Sequence, residues 1–303
     1  MAYFNHDEAI RMAVFDWLKE QVEVHGDVLP RALLTQGFVY RGEQISLQGQ
    51  QGIWKPRLMK NPISITSIKD GPYADRFTPE GFLNYKYMGN DPHHWINVSL
   101  RECIPKNIPL VYLFQIARGK YLVTWPVYII NDDPRGLAFT VAVDDADYIR
   151  NYEEHVTSDD TEDNARRAYL TRSMKYRLHQ QSFREKILRA YRSQCALCRL
   201  KHAELLDAAH IIPDKHADGE PVVSNGLSLC KIHHAAFDKH ILGITPDYTI
   251  KLREDILREI DGPMLKYGLQ SLENNKIILP VHRSDRPDRE RLERRYREFL
   301  DAG

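Results

Sequence analysis

Apolar residues at the start of the chain recur at helical spacing. In MAYFNHDEAIRMAVFDWLKE, Ile10, Val14 and Leu18 share one face and charges occupy the other, which predicts an amphipathic helix rather than a secretion signal. HGDVLP breaks that pattern, and RALLTQG predicts a short second helix ended by Gly37. The period then changes. FVYRGEQISL alternates on either side of a Gly-containing turn, as a hairpin does. Strand-like runs follow at 63–68 (ISITSI), 81–88 (GFLNYKYM), 109–117 (PLVYLFQIA), 120–130 (KYLVTWPVYII) and 137–145 (LAFTVAVDD). Ala117-Arg118-Gly119-Lys120 joins two of them as a hairpin turn, and VSLRECI at 98–104 predicts one helix among the strands. Short strands at this spacing predict a closed or strongly curved sheet, so residues 1–150 are expected to form a mainly β domain.

Residues 145–163 are acidic and polar and mark a boundary, with SDDTED as a helix start. Helical sequence with interruptions continues to Tyr191, giving a linker and basic helix over 151–184 and a further domain over 185–303. Late in the chain, TPDYTIKL predicts a final strand, and REDILREIDGPMLKYGLQSL a helix cut at Gly262-Pro263. NNKIILP predicts a short extended piece, and PDRERLERRYREFL a terminal helix whose i, i+4 acid and base pairs fit a solvated face. The expected fold class is α+β.

Composition narrows the setting. A chain of 303 residues with 43% hydrophobic content accommodates two soluble domains. No apolar run approaches the roughly 20 residues of a membrane span, so a cytoplasmic protein is expected. Of the four cysteines, three have metal-ligand spacing and Cys103 stands alone as a buried small hydrophobe, which is no disulfide framework and fits a reducing compartment. Forty-two basic and forty-two acidic residues cancel, so net charge does not argue for a nucleic-acid partner. The distribution does: Asn164 to Arg192 holds nine Lys or Arg against one acid, Glu185. A solvated helix face accounts for many such runs. Upstream of a metal-ligand pattern, Arg166, Arg167, Arg172 and Lys175 are also candidates to grip phosphates.

The chemistry concentrates between Cys195 and His240, which contains three of the four cysteines and six of the thirteen histidines. Cys195 and Cys198 form a CxxC knuckle; after thirty-one residues, Cys230 and His233 form a CxxH knuckle. Together they make a closed ligand set for a structural, tetrahedral zinc ion, without which so small a polar segment would not fold stably. His234 sits about 100° further round any helix than His233 and cannot face the same zinc. Asp238, four residues on, stacks on the face of His234, and such a pair is a half-site for a divalent cation. His210 lies near the end of the short apolar strand DAAHIIP, and Asn225 in the turn of SNGLSLC.

These pieces resemble an HNH nuclease module, the ββα-metal or His-Me finger fold, in McrA-like form. The matching elements are the AHIIP strand, the NGLSLC turn and the CxxHHxxFD helix between zinc knuckles, over roughly residues 185–245. The resemblance implies that neutral His210 is the general base for a water attacking a phosphodiester, and that Asn225 orients the loop or the base. It also implies that His234 and Asp238 hold one Mg²⁺ or Mn²⁺ against the scissile phosphate. Two departures stand out. Many such modules carry Asp or His directly before the general base, where this chain has Ala209; Asp207 is a reserve ligand whose direction strand alternation leaves open. The second is His233, at a position where cysteine is frequent.

The N-terminal stretches SLQGQQGIWKPRLMKNPISITS, GPYADRF and LNYKYMGNDPHHW, with the hairpin at 109–130, resemble the leading part of HNH restriction endonucleases in which a PUA-like β-barrel, related to SRA and EVE domains, precedes the nuclease. That resemblance implies a reader of modified DNA that stacks an extruded base between rings. Trp54, Tyr73, Tyr85, Tyr87, Trp95 and Trp125 are the available rings, Asp75 an acceptor, and Lys55 and Arg57 phosphate contacts. Core packing competes for each ring, least for Trp54 and Trp95 in their loop-like settings. The expectation is a modification-dependent (type IV-like) restriction endonuclease acting on double-stranded DNA in defence, as a homodimer because one centre cuts one strand. Its alternatives are an HNH endonuclease reading unmodified sequence or another defence signal, and a zinc-stabilised DNA-binding protein without catalysis.

Overall fold

The computed structural model describes residues 6–68, 76–78, 82–143, 160–214, 216 and 218–302; Tyr73, Asp75 and most of the acidic boundary stretch lie outside them. The chain divides into two compact α+β units, Met1–Gln181 and Ser182–Gly303. None of the described helices is long and apolar enough to cross a membrane.

Unit 1 begins with helix α1 (His6–His25), whose Ile10, Val14 and Leu18 are fully buried against Leu29, Leu34, Ile45 and Leu113. Two charged residues are buried with that face. The Asp7 carboxylate accepts from the backbone N–H groups of Lys60 and Asn61, and the Arg11 guanidinium donates to the carbonyls of Pro62 and Pro109 at 2.7 and 2.8 Å. Strand β1 (Val28–Pro30) and helix α2 (Arg31–Gln36) follow. Gly37 ends α2 with φ 61°, and a Cβ there would lie 1.9 Å from the Ile45 carbonyl oxygen, so only glycine serves. The predicted hairpin is β2 (Phe38–Tyr40) with β3 (Glu43–Ile45).

The remaining strands are β4 (Ile53–Trp54), β5 (Ser64–Ile68), β6 (Arg76–Phe77), β7 (Leu83–Lys86), β8 (Leu110–Ala117), β9 (Lys120–Asp133) and β10 (Ala138–Val143). They form one sheet in the order β4-β5-β8-β9-β10-β7-β6, with β1 added on β9 and, among the described residues, only β5–β8 parallel. Register shifts within β8–β9 and β9–β10 bend the strands and curl the sheet. Among the described residues its end strands β4 and β6 do not pair, and the sheet is curled. Helix α3 (Trp95–Arg101) starts three residues before the predicted 98, because the His94 ring accepts from the Ile96 N–H and caps it there. Cys103 is 1% exposed, and burial pushes its thiol up to about 12, as for an inert core sulfur.

Helix α4 (Asp160–Ala190) runs unbroken. The interruptions expected from its mixed polarity do not occur, since nothing between 160 and 190 is Gly or Pro.

In unit 2, β11 (Leu206–His210) pairs antiparallel with β12 (Gly226–Cys230), which leads directly into helix α5 (Lys231–Asp238). Where one final strand was expected, a hairpin of β12's successors β13 (Leu242–Ile244) and β14 (Ile250–Leu252) forms; Pro246 and Asp247 make its turn, closed by Thr245 N–H to the Thr249 carbonyl at 2.9 Å. Short helices α6 (Glu254–Arg258) and α7 (Pro263–Gly268) flank the Gly262-Pro263 break. NNKIILP contributes a single bridge, Thr249 to Lys276. The terminal helix α8 (Arg289–Ala302) carries the expected Arg297–Glu293 pair but is not solvated all round: Leu292, Arg295 and Phe299 are buried, with Phe299 lying over Gly243.

Candidate metal centre and catalytic site

The two knuckles meet. Cys195 and Cys198 sit in a turn held by Cys195 N–H to the Leu200 carbonyl, while Cys230 closes β12 and places His233 in the first turn of α5. The four ligand atoms all lie within 4.8 Å of one another. His233 Nδ1 is 3.2 Å from Cys230 Sγ and 3.5 Å from Cys195 Sγ, and the Cys198 and Cys230 sulfurs are 4.0 Å apart. Tetrahedral zinc with sulfur at about 2.3 Å sets its sulfurs about 3.8 Å apart, so the set fits a zinc-sized ion. The other ring nitrogen, Nε2, lies 2.7 Å from the Gly268 carbonyl. Donating its proton there leaves Nδ1 as a lone pair facing the three sulfurs. This tie runs to the end of α7 and has no signature in the spacing of the knuckles.

His210 ends β11 opposite Gly226. A Cβ on Gly226 would fall 2.3 Å from Ile187 and 2.7 Å from the Phe183 ring, so glycine lets α4 approach the strand pair closely. Phe183 then stacks on the His210 imidazole with centroids 4.1 Å apart and planes within 19°. Among the described residues, His210 Nε2 is buried with no hydrogen-bond partner. Burial lowers the pKa of His210 and the charge of Asp214 opposes it, so the ring is neutral at pH 7 and holds a free basic nitrogen. The fully buried Asn225 does not bond the imidazole. Its carbonyl oxygen accepts from Ile212 N–H at 2.9 Å, and its amide donates to the Ile212 and Glu220 carbonyls at 3.0 Å each, fixing the backbone just after His210.

His234 is turned away from the sulfurs. Its Nε2 lies 3.3 Å from Asp238 Oδ2 and its Nδ1 3.5 Å from Asp207 Oδ2. Strand alternation puts Asp207 on the side of β11 that Ala209 also faces, opposite to His210, so the acid three residues back serves the side where the missing acid would have stood. The other Asp238 oxygen lies 4.0 Å from Arg295 of α8, whose guanidinium covers the Phe237 ring and donates to the Phe237 carbonyl at 3.2 Å and Glu298 at 2.9 Å. The link between α8 and α5 was not visible in sequence, because Arg295 reads there as one more charge in a charged helix.

The candidates in unit 1 divide. Trp54 is a packing residue: its indole N–H donates to the Ser46 carbonyl at 3.0 Å and its ring fills the space over Gly49. Trp125 packs against the α1 core. Lys55 donates to the Met59 carbonyl at 3.1 Å, whereas Arg57 is exposed. Trp95 is 56% exposed beside His94 at the start of α3. Tyr85 and Tyr87 are buried and line a cavity of about 560 Å³ with Gln50, Gly52, Thr66 and Met88, where the β4–β5 end of the sheet meets β7. The Tyr85 hydroxyl donates to the Thr66 carbonyl, while the buried Thr66 hydroxyl has no partner among the described residues. The Tyr87 hydroxyl is held by Asp132 and Arg101. Arg166, Arg167, Arg172 and Lys175 lie on α4, their side chains outside the described residues.

With this geometry in view, the comparison with protein families is specific: residues 195–245, from the CxxC knuckle through β13, match HNH_2, an HNH endonuclease family. The chain therefore carries an HNH endonuclease domain and is a hydrolase of that class. Among solved structures it is similar to a modification dependent TagI restriction endonuclease, at 16% identity and a TM-score of 0.29, covering 79% of this chain and 82% of that one. It is also similar to the Type IV phosphorothioation-dependent restriction endonuclease ScoMcrA, at 16% identity and a TM-score of 0.21, covering 57% of this chain and 45% of that one. At those scores neither likeness establishes a shared fold. No curated protein matches the chain.

Proposed function

We propose that this protein is a divalent-metal-dependent DNA endonuclease of restriction type that cuts modified foreign DNA. The observation that carries the nuclease part is the buried Nε2 of His210, without a hydrogen-bond partner among the described residues, in the same HNH domain as the His234–Asp238 pair. His210 accepts the proton of the attacking water at Nε2; stacking on Phe183 fixes the plane of its ring and Asn225 fixes the backbone that follows it. His234 and Asp238 would hold Mg²⁺ or Mn²⁺, and the bound ion supplies charge neutralisation at the phosphate and eases departure of the 3′ oxygen. Asp207 takes the His234 Nδ1 proton as a hydrogen bond and presents Nε2, the nitrogen facing Asp238. Cys195, Cys198, Cys230 and His233 would hold zinc and keep the β11–β12–α5 unit in register.

Residues 1–150 act as the reader, 151–184 as linker and basic helix, and 185–303 as the nuclease, which cuts both strands of the duplex as a homodimer in the cytoplasm. The cavity beside Tyr85 and Tyr87 supports a reader role, having apolar walls, flanking amides and one unsatisfied hydroxyl. Unmodified, cytosine-methylated, hydroxymethylated and phosphorothioated plasmids, each incubated with the protein in Mg²⁺ or Mn²⁺, test this. One modified plasmid is expected to be cut and the unmodified one spared; discrimination resting on a single methyl group amounts to roughly 10- to 200-fold. Equal cutting of all four rules out a modification reader, and cutting of none favours a zinc-stabilised DNA-binding protein.

A further inference from the structure

We infer that the concave basic patch of Lys186, Arg189, Arg192 and His282 on unit 2 is a second anion site, gripping backbone phosphates of the DNA strand that His210 cuts; this rests on the nuclease function proposed above. The patch surrounds a cavity of about 390 Å³, with Val223 in its wall and Asp285 as its one acid. With three permanent cations against one carboxylate it is a net attractor of anions.

The cations of the patch differ from four arginines of α8, which are paired. Arg291, Arg294, Arg295 and Arg297 of α8 each meet a carboxylate, on Glu220, Asp218, Glu298 and Glu293. Lys186, Arg189 and Arg192 are exposed, and among the described residues their side chains have no hydrogen-bond or ion-pair partner. The dipole of α4 favours cations in its last turn. It does not explain why three segments far apart in sequence, at 186–192, 223 and 281–285, close a hollow around them.

Location gives the patch its task. Val223 lies two residues before Asn225, whose amide fixes the backbone after His210. Phe183, stacked on His210, belongs to the same helix as Lys186 and Arg189, three and six residues further on. At a helical rise of about 1.5 Å per residue those two lie about 4.5 and 9 Å beyond it along the axis. Phosphates of one DNA strand advance about 3.4 Å per nucleotide, so a strand running along α4 would meet the patch roughly one to three nucleotides from the cut. It offers cations and no Asn, Gln, Phe, Tyr or Trp, which suits backbone contact and not base reading.

The test uses the full-length His210→Ala protein, which should bind duplex DNA without cutting it, and measures Kd across a salt series. Adding Lys186→Gln, Arg189→Gln and Arg192→Gln together should flatten the slope of log K against log salt by about two to three, near 0.9 per lost phosphate contact. The weakening should be the same on modified and unmodified duplexes. The single variants, each expected to flatten the slope by about one, keep the test open if the triple variant fails to fold. A folded triple variant with the parental slope overturns the site, as does a lowered Tm with unchanged slope, which would leave the three cations as partners of the helix dipole alone. A parent that binds no DNA at any salt overturns the nuclease function itself, and this site with it.

Discussion

Cys198→Ala should abolish zinc binding and the cooperative melting of unit 2 while unit 1 still melts on its own. Cys198 is the informative ligand to remove because its side chain is exposed, so alanine leaves no cavity. Cys195, at 0% exposure, would confound ligand loss with packing loss. The knuckles join the turn after α4 to the β12–α5 junction, and His233 carries the tie on to Gly268. Structural zinc contributes an apparent 10–16 kcal/mol or so to the folding of small zinc modules at pH 7. That is about the whole stability of an ordinary domain, roughly 5–15 kcal/mol, so losing one ligand is expected to unfold the unit. Zinc content by a colorimetric chelator, together with thermal melting, reads the result. A soluble, fully active Cys198→Ala protein would show that the four residues are not a zinc site.

His210→Ala should lower the cleavage rate about 10²- to 10⁴-fold, the range that a positioned general base supplies, with zinc content and DNA affinity near those of the unaltered protein. The stack on Phe183 makes a melting control necessary, because truncation opens space beneath that ring. The pH profile adds a second signature. Burial lowers the His210 pKa below the ordinary value of about 6.5, and in the proposed mechanism the neutral ring is the active form. Activity should therefore persist at pH 6.5, where an ordinary histidine is half protonated, and fall only as pH drops through the lowered pKa. An acid limb centred above 6.5 would assign the base to another group.

Both knuckles were legible in the sequence because ligand spacing is a local property, and a CxxC or CxxH knuckle needs only a turn or the first turn of a helix. His234 and Asp238 were legible for the same reason: helical geometry alone separates them from His233. Asp207 was visible as a residue but not as a direction, since its contact with His234 depends on how α5 packs on β11. Phe183 and Arg295 stayed hidden. Their roles arise where α4 and α8 approach the catalytic elements, and nothing local separates a ring that stacks on His210 from one filling a core. In unit 1 the alternating runs located the strands and the hairpins. They could not give the order β4-β5-β8-β9-β10-β7-β6, because register and neighbour choice are long-range. Trp54, in a stretch rich in glycine and glutamine, looked like a surface ring, yet Gly49 makes room for it to pack inward.

In the proposed mechanism two metals do two separable jobs in one short segment. Zinc content and DNA cleavage measured on one sample of the intact protein, dialysed free of Mg²⁺ and Mn²⁺, separate those jobs. One zinc per chain is predicted, with no cutting until Mg²⁺ or Mn²⁺ is returned and full cutting afterwards at unchanged zinc content. Cleavage that proceeds without added cation, or that rises and falls with zinc alone, would contradict it.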